Sequence, residues 1–110
     1  MKTLNLVLMF VFIASLVSAQ PKLAYEIINF SERGKDLYKV EVKFTNTGSK
    51  VIRNAKATAV LMDNTGREIC TQNHYVVKDD LYPGSSTYFS FVVSCSRNPA
   101  TAKVHIERIR

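Results

Sequence analysis

Tyr38-Lys39-Val40-Glu41-Val42-Lys43-Phe44-Thr45 alternates apolar with charged or hydroxyl side chains without a break. Successive side chains of an extended chain point to opposite faces, so Tyr38, Val40, Val42 and Phe44 share one face and the polar groups share the other. One face is then core and the other water, the pattern of a strand in an antiparallel sheet. The same period of two recurs over Leu23 to Phe30, Ala55 to Asp63, Glu68 to Val77, Ser86 to Cys95 and Ala102 to Ile109, with no helical period from residue 20 onward. Between these segments stand Glu32-Arg33-Gly34-Lys35, Asn46-Thr47-Gly48-Ser49, Asn64-Thr65-Gly66, Tyr82-Pro83-Gly84-Ser85 and Arg97-Asn98-Pro99, all rich in residues that tolerate or preset turn dihedrals. Short strands at this spacing predict an all-β chain folded as a two-sheet immunoglobulin/fibronectin-like sandwich of about six to seven strands.

Phe89, Phe91, Val93 and Cys95 share a phase, which turns Cys95 inward. Cys70 follows the Asn64-Thr65-Gly66 turn, and a Cys70–Cys95 disulfide would close a loop of about 25 residues, contributing on the order of 3 kcal/mol through the unfolded state. Ala55, Ala57 and Ala59 are small for a core face and mark a place where the two sheets approach closely or where large aromatics fill the space.

Upstream of the first strand, Lys2, the apolar run Leu4 to Val17 and the small residues Val17-Ser18-Ala19 have the form of a secretory signal peptide over residues 1–19. The run is shorter than the ~20 residues that a spanning helix needs, and no second apolar stretch predicts a transmembrane segment. Residues 20–110 are then a single domain, expected to be secreted into an oxidising, extracellular setting such as a matrix or cell wall, where paired cysteines form disulfides. The chain is basic, with 15 Lys and Arg against 9 Asp and Glu and a net charge of +6, but the positive residues are spread along the strands rather than gathered in a run. A diffuse field of that kind suits an acidic polymer or a solvated face, and export makes nucleic acid an unsuitable partner.

Catalytic patterns are missing. There is no serine elbow and no glycine-rich phosphate loop, and the cysteines read as structural, so no enzyme is expected. His74 and His105 stand far apart in sequence, without the convergent ligand set that zinc needs. Asp79-Asp80 with Asp63 could supply oxygens to calcium, but an exposed loop before Leu81 is the plainer reading, and neither metal nor cofactor is predicted. Asn29-Phe30-Ser31 is the one Asn-x-Ser/Thr sequon, placing a glycosylation site at Asn29.

Phe30-Ser31-Glu32-Arg33-Gly34-Lys35, then Tyr38-Lys39-Val40, then Phe44-Thr45-Asn46-Thr47-Gly48-Ser49-Lys50-Val51-Ile52-Arg53-Asn54-Ala55-Lys56 resembles the opening half of the carbohydrate-binding modules of family 49. These modules occur at the C-terminus of some plant endoglucanases and in slime-mould extracellular proteins. Leu81-Tyr82-Pro83-Gly84-Ser85-Ser86, Phe89-Ser90-Phe91 and Asn98-Pro99-Ala100 extend the similarity over most of the chain beyond residue 19. The resemblance implies binding of cellulose or another extracellular β-glucan without cleavage. Modules of that family usually carry tryptophans and this chain has none, so the flat faces that stack on sugar rings must come from Phe and Tyr. Phe30, Tyr75 and Tyr82 are the expected platforms, with Asn73 and His74 to hydrogen-bond hydroxyls. The alternative is an extracellular structural or adhesive sandwich that meets a matrix protein through an exposed sheet edge. Leu61-Met62-Asp63-Asn64-Thr65-Gly66 and Leu81-Tyr82-Pro83-Gly84 are also similar to turns of small exported domains in prokaryotic envelope proteins.

Overall fold

The computed structural model describes residues 22–110, so the predicted signal peptide lies outside the described residues. Six strands follow in order: β1 (Leu23–Gly34), β2 (Leu37–Asn46), β3 (Ala55–Met62), β4 (Glu68–Val77), β5 (Ser86–Ser94) and β6 (Thr101–Ile109). They form two three-stranded antiparallel sheets, β1-β2-β5 and β4-β3-β6. The hairpins β1–β2 and β3–β4 each stay within one sheet, whereas the chain changes sheet after β2, after β4 and again after β5. The long-range pairings β2–β5 and β3–β6 each join a central strand, β2 or β3, to an outer one, as in an immunoglobulin-like sandwich.

The alternation read from residues 38–45 is realised side chain by side chain. Val40, Val42 and Phe44 are buried, and Lys39 and Glu41 form an ion pair of 3.2 Å on the opposite face. Facing them from the other sheet, Ala55, Ala57, Ala59 and Leu61 of β3 lie in the same core as Phe44, Phe91 and Val93. The small alanines and the two large rings make up one packed layer, so volume is shared between sheets rather than within each one.

The disulfide Cys70–Cys95 is formed, with Cα atoms 5.8 Å apart. Cys70 sits opposite Leu61 on β3 and so faces inward, and Cys95 follows the last residue of β5. The bond therefore ties the outer strand of one sheet to the outer strand of the other and closes one side of the sandwich.

The first hairpin departs from the expected boundaries. The predicted strand ended at Phe30 and its turn spanned Glu32 to Lys35, whereas β1 runs on to Gly34 and the chain reverses at Lys35 and Asp36. The left-handed backbone falls on Asp36, with φ 59°, and not on Gly34; Asp is among the few residues that tolerate it. The extension is possible because Ile28 bulges out of the β1–β2 ladder between the Ile27 and Asn29 pairings, returning Phe30 to the inward face opposite Val40.

Candidate functional site

The segment between β4 and β5 is fixed from several directions. Leu81 is buried and exchanges two backbone hydrogen bonds with Ile52, at 2.9 Å and 2.8 Å. Asn46, at the end of β2, has no exposed surface: its Nδ2 donates to the carbonyls of Lys50 (2.8 Å) and Leu81 (2.9 Å), and its Oδ1 accepts from the Gly48 N–H (2.9 Å). Its backbone bonds Ser85 and Gly84 as well. Tyr82-Pro83-Gly84-Ser85 is then a tight turn closed by the Ser85 N–H on the Tyr82 carbonyl at 2.9 Å, with Pro presetting its second position and Gly84 at φ 82° in its third. Tyr82, exposed to solvent, is therefore carried on a turn whose backbone is fixed from both sides.

Around this turn lies an open groove of about 430 Å³ whose lining includes Tyr75, Asp79, Asp80, Tyr82, Tyr88 and Phe89. Its three tyrosines come from β4, from the connecting turn and from β5, and they are 38%, 58% and 62% exposed. Tyr75 stands opposite Lys56 on the outer face of its sheet, with the Lys56 Nζ 5.6 Å from its ring centre and an Arg108 Nη2 hydrogen bond of 3.0 Å to its hydroxyl. Cations on its face and its hydroxyl fix the ring in place. Tyr88 is on the outer face of the other sheet, opposite Lys43. Asp80 pairs with Arg53 at 3.6 Å at the groove's acidic side. Exposed rings beside carboxylates and the hydroxyls of Ser85, Ser86 and Thr87 offer both apolar faces and hydrogen-bond acceptors and donors to one ligand.

Of the residues singled out by sequence, this groove gathers Tyr75 and Tyr82. Phe30 lies elsewhere: it is half-buried on β1, packed on the core with its ring centre 6.0 Å from that of Tyr38. Asn73 is exposed on the outer face opposite Thr58, and His74 turns the other way, its ring 4.9 Å from that of Phe89 and its Nδ1 3.2 Å from the Tyr75 carbonyl. Neither lines the groove. Tyr88 was missed because its phase puts it with Ser86, Ser90 and Ser94, which marks a solvated face and gives no sign of what stands beside it. Asn29 is exposed on β1, on the far edge of its sheet from β5, so a glycan there would leave the groove clear.

The acids weighed as calcium ligands are set apart. Asp63 begins the turn before β4 whereas Asp79 and Asp80 follow its end, separated by the length of a ten-residue strand. Asp63 instead organises its own turn: its Oδ1 accepts from the Thr65 hydroxyl (2.6 Å), the Thr65 N–H (2.9 Å) and the Arg67 N–H (3.0 Å). The Thr65 hydroxyl first, then the Arg67 amide, bring its pKa down to about 2, with the Arg67 charge adding to the effect. Among the described residues no three His, Cys, Asp or Glu side chains cluster as metal ligands would, and no helix is long and apolar enough to cross a membrane. No family model matches this chain, and no curated protein or solved structure is significantly similar to it.

Proposed function

We propose that this chain is a secreted, non-catalytic carbohydrate-binding domain whose tyrosine groove takes a segment of cellulose or another extracellular β-glucan. The observation that carries this reading is that Tyr75, Tyr82 and Tyr88, three exposed residues from three separate segments, line one groove that also holds acidic and hydroxyl groups. Pyranose rings present apolar C–H faces and a rim of hydroxyls, and such a groove meets both. The likeness to family 49 modules supports the same ligand class, although Phe30, which stands where that family's first tryptophan is expected, lies outside this groove. Retention on insoluble cellulose tests the proposal, with chitin and xylan as comparisons at low and high salt. The domain should be held on cellulose at both salt concentrations, and Tyr82→Ala/Tyr88→Ala should weaken retention at least about tenfold, the loss of two stacked aromatic contacts. Retention that disappears in high salt, or that survives the double substitution, contradicts it.

A second reading has its own support. Tyr25, Ile28 and Leu37 are exposed apolar residues on the β1–β2 hairpin, and β1 is an outer strand with one unpaired edge. An adhesive sandwich would use this edge to add a strand from a matrix protein. In that case Ile28→Lys, and not the tyrosine substitutions, abolishes adhesion.

A further inference from the structure

We infer that this site favours an extracellular β-glucan bearing carboxylate groups, which are met by Lys56 and Arg108 beside Tyr75, at the border of the groove, and by Lys78 within its lining. This rests on the carbohydrate-binding reading of the groove and adds the charge of its ligand. Lys56 lies in register with Tyr75 on one side and Arg108 on the other, so an aromatic ring and two cations occupy a single rung of the β4-β3-β6 sheet. Neighbouring strands are roughly 4.8 Å apart, which places the three side chains in one continuous row. Lys78, the residue after the end of β4, lines the groove.

Among the described residues these cations have no carboxylate partner. The four ion pairs among the described residues join Lys39 to Glu41, Arg53 to Asp80, Arg67 to Asp63 and Lys103 to Glu68. Asp80 holds Arg53, Glu107 accepts a hydrogen bond from the Thr58 hydroxyl, and Asp79 lines the groove. Lys56 and Arg108 turn instead to the ring and hydroxyl of Tyr75. A carboxylate on a sugar lying beside Tyr75 can accept from Arg108 and Lys56 together.

The test is calorimetric titration of the domain with two soluble cellulose derivatives, carboxymethylcellulose and neutral hydroxyethylcellulose, with polyglutamate as a polyanion that has no sugar. The domain should bind the carboxylated polymer about tenfold more tightly than the neutral one in low salt, and the ratio should fall as salt screens the exposed charges. Lys56→Gln/Arg108→Gln should bring the ratio close to one, whereas Lys56→Arg/Arg108→Lys, which keeps both charges, should preserve it. Equal binding of the two cellulose derivatives overturns this inference while leaving the carbohydrate reading intact. Polyglutamate bound as tightly as carboxymethylcellulose, tighter binding to phosphatidylserine vesicles than to either polymer, or a ratio unchanged in the Gln variant also overturns it. Failure of both cellulose derivatives to bind removes the carbohydrate reading along with it.

Discussion

Asn46 is a polar side chain with no exposed surface, and each of its hydrogen bonds reaches a loop rather than a strand. Its amide replaces water for the Leu81 and Lys50 carbonyls and the Gly48 N–H, so truncation would leave those groups unpaired in a dry site. Asn46→Ala is therefore expected to cost about 2–4 kcal/mol, read as a lower urea midpoint at unchanged slope. A change below about 0.5 kcal/mol would show that the three bonds do not hold the loops. Asp63 makes a contrasting case at the surface. Its folded pKa of about 2 lies below the ordinary 3.8, so its contribution to stability is present in full above the ordinary value and is lost as pH falls towards 2. Asp63→Asn should flatten the dependence of the urea midpoint on pH across that window and leave its shape at higher pH unchanged. A wild-type and variant difference that is constant from pH 2 to 6 would contradict this. In the sequence, Asn46 was visible only as a turn residue: nothing in Thr45-Asn46-Thr47-Gly48 reveals that its side chain reaches a backbone carbonyl at residue 81.

At the scale of elements, the positions of the strands were legible, most clearly for β2, whose burial alternates as a half-buried strand must. β4 spans Glu68–Val77, as the pattern required, and Cys70 and Cys95 both face inward and are joined. The first strand was cut short because a bulge shifts the alternation by one residue: Ile28 interrupts it, and Gly34 then looks like the turn that Asp36 makes. The three alanines of β3 showed that space was shared between the sheets but not with which rings, since phase gives a face and not a partner. The disulfide follows from placement of its two strands on one side of the sandwich, closing a separation of 25 residues. Replacing it by Cys70→Ala/Cys95→Ala should cost about 3 kcal/mol by loss of the loop constraint. For a domain of this size that corresponds to a melting temperature lower by roughly 12–24 °C, and a shift under a few degrees would mean that the bond does not constrain the unfolded chain.

For the whole molecule, the two sheets matter to function because they bring together residues that no local pattern connects. Tyr75 belongs to one sheet, Tyr88 to the other and Tyr82 to the turn between them, so the groove exists only once the sandwich closes. Sequence alone gave two of its three rings, and assigned Phe30 to the same role because an aromatic at a strand end reads the same whether it faces solvent or packs on Tyr38. The remaining tyrosines provide an internal contrast: Tyr25 and Tyr38 lie on the β1–β2 hairpin, away from the groove. The most direct measurement is a titration with cello-oligosaccharides followed by NMR of the tyrosine ring resonances. Saturable shifts at Tyr75, Tyr82 and Tyr88, with Tyr25 and Tyr38 unmoved, are the predicted result; five unmoved tyrosines, or shifts centred on Tyr25, would contradict a sugar-binding groove.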